Sequence, residues 1–294
     1  MNTVIKGKAG TGKTALILEL KSCLPADTTV FCATTARAAL RFEGHTLHSW
    51  ARVQKADGSV DELCDLIRRS GGVRAWKDAK TLVLDEMSML SATLFDKLEN
   101  VARVVRESDL PFGGIQLVFV GDFAQLPPFE GKYCFEATSW GKCFGDNDKL
   151  SLTQVFRQLD SKFLEVLDEL RQGQCSAASL PTLSSRVMTM EEIDSMVPAP
   201  PVLFPTNALA SNRNEAKLAQ LHGDVHTYIA EDERKFGCDH VDLSAAPDRL
   251  ELKVGAKVVV IKNMKRLKLV NGSCGVVTRC TSGPNFARTL VMVI

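Results

Sequence analysis

The chain has 294 residues, of which 45% are hydrophobic and 24% are charged, and its formal net charge is +1. This composition is that of an ordinary globular protein and argues against extensive disorder, and the length suggests about two domains. Nine cysteines without a Cys-x-x-Cys pair indicate neither a disulfide framework nor a zinc ribbon, and no apolar run approaches the length of a membrane span. We therefore expect an intracellular protein with no membrane partner.

Apolar segments that end at turn signals alternate with helical patterns in the first half of the chain. The predicted strands are 4–5, 28–32, 81–84 and 116–120, and the predicted helices include 14–24 and 92–105. Strands that alternate with helices predict an α/β fold, built on a parallel, doubly wound sheet that binds ligands at the carboxyl ends of its strands. Residues 51–80 hold a polar turn and a charged helix at 61–69, and we interpret them as an insertion.

A second unit is predicted to begin near Arg157. Its expected elements are a helix at 162–171, a short strand at 202–204 and a helix at 207–221. From residue 252 onward the pattern becomes that of strands, with 257–261 and 275–278 on either side of the turn Asn271-Gly272, which indicates part of a small β-barrel. Residues 251–294 carry eight Lys or Arg against one acidic residue, which suits phosphates but equally describes a solvated lysine-rich face.

The strongest motif follows the first predicted strand. It matches GxxxxGK[ST] and opens a helix, as a phosphate-binding loop requires. Glycines let backbone N–H groups converge on phosphate oxygens, the lysine reaches the terminal phosphates, and the threonine hydroxyl binds magnesium. The residues assigned to the nucleotide are Gly7, Lys8, Ala9, Gly10, Thr11, Gly12, Lys13 and Thr14.

Polar residues follow two further apolar strands. Asp85 and Glu86 end the run at 81–84, where Asp85 would hold Mg²⁺ together with Thr14 and Glu86 would orient and deprotonate the attacking water. Gln125 follows the strand at 116–120 and would hydrogen-bond the γ-phosphate or the water. Two acidic residues at a strand end are weak evidence alone, but beside a phosphate-binding loop they predict an ATP site that contains Mg²⁺.

Four segments in fixed order resemble motifs I to IV of superfamily-1 helicases of the petite-integration-frequency type, which are close relatives of the RecD helicases. They are GKAGTGKT, LVLDEMSML, QLVFVGDFAQLPP and LTQVFRQ, and further similarity at 44–50 and 252–277 extends the resemblance from about residue 4 to about residue 278. It implies a RecA-like P-loop NTPase domain at 1–155, a partial second RecA-like domain at 156–250, and the start of a small SH3-like β-barrel insertion at 251–294. It also implies an ATP-dependent DNA helicase that moves 5′ to 3′ on single-stranded or forked DNA.

The resemblance assigns roles to particular residues. Lys13, Glu86 and Gln125 keep the catalytic roles given above, and Arg157 becomes an arginine that reaches the γ-phosphate from the second domain, although alone it would be read as a surface arginine. Trp50 and Phe123 are candidates for stacking on bases, with a place in the core as the alternative. The residues expected to contact DNA are Thr34, Thr35, His45, Thr46, His48, Phe123 and Pro127.

Several points depart from the family pattern or stay open. The segment that reads adenine in the family and two later motifs are not found, so we expect a fragment or a truncated paralogue of a longer helicase, acting as a monomer in repair, recombination or telomere maintenance. In a eukaryote, the nucleus or the mitochondrion is expected. The alternatives are a nucleotide-switched DNA-binding protein and a signalling ATPase. A possible metal cluster is read as structural because its spacing fits no common zinc pattern; it comprises His222, His226, Cys238 and His240.

Overall fold

Six short strands of the amino-terminal half pair into one parallel sheet in a computed structural model, which describes residues 1–197, 199–229, 247–261, 273–280 and 292–293. The sheet has the spatial order β3-β2-β4-β5-β1-β6. Both β4 and β5 are almost entirely buried, which explains why they appear in the sequence as continuous apolar runs. The strands are β1 (Thr3–Gly7), β2 (Thr29–Ala33), β3 (His45–Thr46), β4 (Thr81–Asp85), β5 (Gln116–Gly121) and β6 (Lys149–Leu152). The predicted α/β fold is confirmed; β3 and β6 were not predicted.

Helices cover both faces of this sheet, and each face has its own core. Side chains alternate between faces along a strand, so on β4 Leu82 and Leu84 join one buried cluster while Val83 joins the other. The predicted helices at 14–24 and 92–105 are confirmed within one residue. The helices of this unit are α1 (Lys13–Cys23), α2 (Ala36–Leu40), α3 (Leu47–Ala51), α4 (Val60–Arg69), α5 (Val73–Asp78), α6 (Ala92–Arg106), α7 (Trp140–Cys143), α8 (Ser161–Arg171) and α9 (Leu180–Ser184).

The region interpreted as an insertion is part of the core on one face. Its helix α4 begins at a capping box between Ser59 and Glu62, which agrees with the predicted helix at 61–69. In α5, Trp76 is fully buried, its ring centroid lies 4.6 Å from that of Trp50, and its Nε1 donates to the Ala51 carbonyl at 3.1 Å. Trp50 is therefore a core residue, and of its two readings the structure supports packing over base stacking.

The chain folds into two compact units, Met1–Val187 and Met188–Ile294. The second contains α10 (Met190–Ser195) and α11 (Asn207–Gln220), the antiparallel pair β7 (His226–Ile229) and β8 (Arg249–Leu252), and a three-stranded antiparallel sheet of β9 (Lys257–Val259), β10 (Cys274–Val277) and β11 (Met292–Val293). A small cluster of Leu252, Ala256 and Val277 is buried there.

Predictions for the second half of the chain meet the structure unevenly. The helices at 162–171 and 207–221 and the strands at 257–261 and 275–278 are confirmed with slightly shifted ends. The strand at 202–204 is wrong, because these residues form no strand; Pro201 and Pro205 flank them and cannot donate backbone hydrogen bonds to a sheet. The turn Asn271-Gly272 lies outside the described residues, and the division at residue 155 and the SH3-like barrel stay predictions.

Candidate functional site

The phosphate-binding loop joins β1 to α1 in a conformation that needs glycine. Gly10 and Gly12 have φ angles of 81° and 88°, in the left-handed region. A Cβ added to Gly10 would also lie 2.7 Å from the Cβ of Arg157, so this position has no room for a side chain. The loop is closed internally by the Thr11 hydroxyl, which donates to the Lys8 carbonyl at 2.9 Å.

Lys13 is the first residue of α1, and its amine lies across the loop. Nζ donates to the carbonyls of Gly7 at 2.6 Å and Lys8 at 3.0 Å. Burial lowers the pKa of this amine, and the carboxylates of Asp122, Glu86 and Asp85 oppose that effect. Three acidic groups from two neighbouring strand ends therefore face the same amine, which is the charge arrangement of a site for a triphosphate and a cation.

The acidic pair stands at the end of β4. Asp85 is buried, and burial raises the pKa of its carboxyl group; the negative charge of Glu86 acts in the same direction, whereas Lys13 and Arg41 oppose it. Glu86 has a left-handed backbone at φ 56° and ψ 42°, which is costly for a residue with a side chain. Thr34 holds this turn, since its hydroxyl donates to the Glu86 carbonyl at 3.0 Å and its N–H donates to the Asp85 carbonyl at 3.3 Å.

Asp122 follows β5 and organises the residues after it. Its carboxylate accepts hydrogen bonds from the Ala124 N–H at 3.2 Å and from Gln125 Nε2 at 3.3 Å. Arg171 adds two bonds, from Nε at 3.1 Å and from Nη2 at 2.6 Å. Burial alone would raise the pKa of Asp122, but the hydrogen bonds from Arg171, Ala124 and Gln125 outweigh it, so the pKa is lowered.

These elements meet in one cleft of about 390 Å³. It brings together the four residues predicted to be catalytic and the two predicted to hold a metal, since the carboxyl ends of parallel strands share one edge of the sheet. Gly7, Lys8 and Thr11 belong to the loop but do not line the cleft. The lining residues are Ala9, Gly10, Gly12, Lys13, Thr14, Ala15, Arg41, Asp85, Glu86, Gln125, Phe156 and Arg157.

The position of Arg157 differs from the expectation that it reaches the nucleotide from a second domain. It belongs to the first compact unit, and the preceding Phe156 N–H donates to the Gly10 carbonyl at 2.8 Å. The reason is topological. Strand β6 runs parallel to β1 and next to it, so the chain that leaves the end of β6 passes beside the phosphate-binding loop.

Sequence reasoning missed Arg41, Asp122 and Arg171. Arg41 directly follows α2 and lines the cleft. Asp122 lies inside a recognised motif, but its partner Arg171 is 49 residues away, so no local spacing connects the two. Asp122 directly follows a buried strand, and a carboxylate that is buried needs a cation as its partner. This position in the sequence is the signal that could have identified Asp122.

The residues predicted to contact DNA form two groups on the same edge of the sheet. In the first group, Thr34 and Thr35 directly follow β2, His45 and Thr46 form the neighbouring strand β3, and His48 lies in α3. Strand β4 separates β2 from β5, which precedes the second group, Phe123 and Pro127.

Some of these side chains already serve the local structure. Thr35 and Thr46 cap α2 and α3, accepting from the N–H groups of Ala38 and Ser49, each at 3.3 Å. His45 is exposed, whereas partial burial lowers the pKa of His48.

Phe123 belongs to an aromatic cluster. Its ring meets those of Tyr133 and Phe135 edge-on, at centroid distances of 5.7 and 4.7 Å, and Tyr133 and Phe135 stack on each other at 5.3 Å. Phe123 is half-buried and Pro127 is exposed. Of these two, Pro127 is therefore the more accessible to a ligand.

In the ranges that the structure describes, no three His, Cys, Asp or Glu side chains are grouped as metal ligands would be. Cys238 and His240 of the possible metal cluster lie outside those ranges. Among the described helices, none combines the length and the apolar character needed to cross a membrane.

A phosphate-binding loop after β1 and an acidic pair at the end of β4, which lie at the same edge of a parallel sheet with β5 between them, define a P-loop NTPase of the RecA-like class. The model of the PIF1-like helicase family matches residues 2–180, and that of the DNA helicase Pif1 2B domain matches residues 241–280. The chain belongs to the PIF1-like helicase family. The family recognised from the motifs is thereby confirmed, and the 2B-domain match overlaps the predicted barrel at 251–294.

Similar proteins include the ATP-dependent DNA helicase PIF1 of Danio rerio, 38% identical over 283 residues, which cover 94% of this chain and 44% of that protein. The crystal structure of Pif1 helicase from Candida albicans superposes with a TM-score of 0.79 at 32% identity, covering 95% of this chain and 65% of that one. The Pif1 helicase from Bacteroides in complex with ADP-AlF3 and ssDNA gives a TM-score of 0.65 at 25% identity, covering 96% and 66%. The chain spans 38–45% of the length of the first curated relatives it matches.

Proposed function

We propose that this chain binds and hydrolyses ATP with Mg²⁺ and, as part of an ATP-dependent DNA helicase, couples hydrolysis to 5′ to 3′ movement on single-stranded DNA. One observation carries the proposal: Lys13, Asp85, Glu86, Gln125 and Arg157 come from four separate segments and line a single cleft. Phosphoryl transfer depends on positioning and on stabilisation of charge, and this set supplies both.

Each residue has a role that its place permits. Backbone N–H groups of the loop and the Lys13 amine bind the phosphates. Thr14 and Asp85 offer a hydroxyl and a carboxylate, the oxygen ligands that Mg²⁺ prefers, and the bound ion would neutralise charge on the β- and γ-phosphates. Glu86 accepts a proton from the water that attacks the γ-phosphorus, and the bond to the bridging oxygen of ADP breaks. Gln125 orients that water, and Arg157 stabilises the charge that develops.

Support for DNA binding comes from the family and from the edge of the sheet. The matched Bacteroides Pif1 helicase holds ADP-AlF3 and ssDNA together. In this chain the residues that end β2 and β3 and the loop after β5 offer hydroxyl, imidazole and apolar groups beside the nucleotide cleft, and such groups donate to phosphates or contact bases. We propose single-stranded or forked DNA as the partner of a monomeric helicase that acts in repair, recombination or telomere maintenance, in the nucleus or mitochondrion of a eukaryote.

ATP hydrolysis measured with and without single-stranded DNA tests this function. The parent chain should hydrolyse ATP in the presence of Mg²⁺, faster with DNA, and Lys13→Ala should abolish turnover while a labelled oligonucleotide still binds. DNA binding without turnover would instead support a nucleotide-switched DNA-binding protein, and turnover indifferent to DNA a signalling ATPase. Equal turnover in Lys13→Ala and the parent would remove the role given to Lys13.

A further inference from the structure

Helix α8 is fixed to the nucleotide site at two points on one of its faces. Asp168 and Arg171 are three residues apart and therefore neighbours on the helix surface. Asp168 Oδ2 lies 2.5 Å from Nζ of Lys8 in the phosphate-binding loop, and Arg171 pairs with Asp122 at the end of β5. One helix thus connects two segments that border the cleft, although no side chain of the helix lines the cleft itself.

The two ion pairs differ in burial. The Lys8 and Asp168 side chains are 39% and 42% exposed, so water screens much of their attraction. Asp122 is 3% exposed and receives both prongs of the Arg171 guanidinium, at 3.1 and 2.6 Å. A two-pronged contact with a buried carboxylate fixes the orientation of that carboxylate in addition to neutralising its charge. The pair of Arg171 with Asp122 is therefore the stronger of the two ion pairs.

The Asp122 carboxylate in turn orients the side-chain amide of Gln125. The oxygen that accepts from Arg171 Nε, Oδ2, also accepts from Gln125 Nε2 at 3.3 Å. An ionised carboxylate only accepts hydrogen bonds, so Gln125 must turn its amide nitrogen towards Asp122 and its carbonyl oxygen away from it. A carbonyl oxygen is the group that can accept a hydrogen bond from an attacking water.

We propose that Arg171 is a positioning residue for ATP hydrolysis: by fixing the Asp122 carboxylate, it sets the orientation of the Gln125 amide in the cleft. The inference rests on the proposed hydrolysis of ATP. It predicts a specific defect, because Gln125 acts on the water and not on the grip of the loop on the phosphates. Loss of Arg171 slows the chemical step and leaves nucleotide affinity nearly unchanged.

The test is the rate constant of hydrolysis in a single turnover with the protein in saturating excess over ATP, which does not depend on the fraction of active protein. Arg171→Gln should be slower by on the order of tenfold to a hundredfold, the range that misplacement of a reacting group produces. The affinity for a fluorescent ADP analogue should stay close to that of the parent. Arg68→Gln is the matched control, because Arg68 pairs with Asp65 at 2.8 Å on the exposed surface of α4 and should leave the rate unchanged.

A double-variant cycle distinguishes positioning from a general structural effect. If Arg171 acts through Gln125, adding Arg171→Gln to Gln125→Ala should slow hydrolysis no further, whereas independent effects would multiply. Multiplied effects, or a parental rate in Arg171→Gln, overturn the proposal. Should Arg171→Gln fail to fold, Arg171→Lys enters the same cycle with the same criteria, since it keeps the charge and loses the fork. A parent chain that hydrolyses no ATP would count against the proposed function instead.

Discussion

The nucleotide cleft differs in construction from the neighbouring region at the ends of β2 and β3, which is called the edge below and comprises Thr34, Thr35, His45, Thr46 and His48. Residues from five segments line the cleft; Glu86 has a left-handed backbone there, and Asp85 in the cleft and Asp122 beside it are buried carboxylates, all of which cost folding free energy. At the edge, Thr35 and Thr46 serve as helix caps that any short helix would use. Features that cost folding free energy, such as those in the cleft, indicate a functional site. Thr35 and Thr46, by contrast, are already explained by helix capping, so a role in DNA binding needs evidence of its own.

The largest effect that tests this contrast is expected at Arg157. Arg157→Ala should lower the kcat of ATP hydrolysis by on the order of a thousandfold, because a cation at the γ-phosphate stabilises charge only in the transition state. Binding of single-stranded DNA without nucleotide should stay at the parental level, as measured by fluorescence anisotropy. A small loss of kcat with a large loss of DNA affinity would move Arg157 from the cleft to the DNA-binding surface.

A smaller effect, confined to low pH, is expected at Arg41. Its charge lowers the pKa of Asp85, so Arg41→Gln should raise that pKa further above its ordinary value. Mg²⁺ requires the ionised carboxylate, so the acid limb of the pH profile of hydrolysis should move to higher pH, with a loss of at most about tenfold on that limb. Near pH 8 the variant and the parent should agree. A uniform loss at every pH would mean that Arg41 contacts the nucleotide directly.

Thr34 can distinguish the two regions experimentally. The family resemblance assigns it to DNA binding, but its hydroxyl donates a hydrogen bond to the Glu86 carbonyl in the cleft. Thr34→Val keeps the shape of the side chain and removes the donor to the Glu86 carbonyl. One such hydrogen bond is worth about 1 kcal/mol, so we expect kcat to fall about fivefold with little change in DNA affinity. Unchanged kcat and weaker DNA binding would restore the role that the family resemblance implies.

The same contrast explains what the sequence could predict. The strand, loop and helix around residues 7–14 and the strand that ends at Asp85 are placed correctly, because these elements are adjacent in the chain and local spacing determines where they lie. The pairing of Arg171 with Asp122 and the passage of Arg157 beside Gly10 depend on the placement of β6 next to β1. Strand order is a property of the whole sheet, and short strands such as β3 and β6 carry too little pattern to be detected.

The smallest effects decide whether the edge binds DNA at all. Thr46 caps α3, so Thr46→Val should destabilise the chain by about 1 kcal/mol in urea unfolding.

His45 is exposed and is the better probe, because His45→Ala should leave stability unchanged and weaken binding of single-stranded DNA a few-fold. If Thr46→Val weakens DNA binding only in proportion to its unfolded fraction while His45→Ala weakens it at full stability, the threonine supports the helix and the histidine contacts the strand. If neither variant changes DNA affinity, the edge over β2 and β3 is not the DNA-binding surface, and the loop after β5 with Pro127 becomes the region to test.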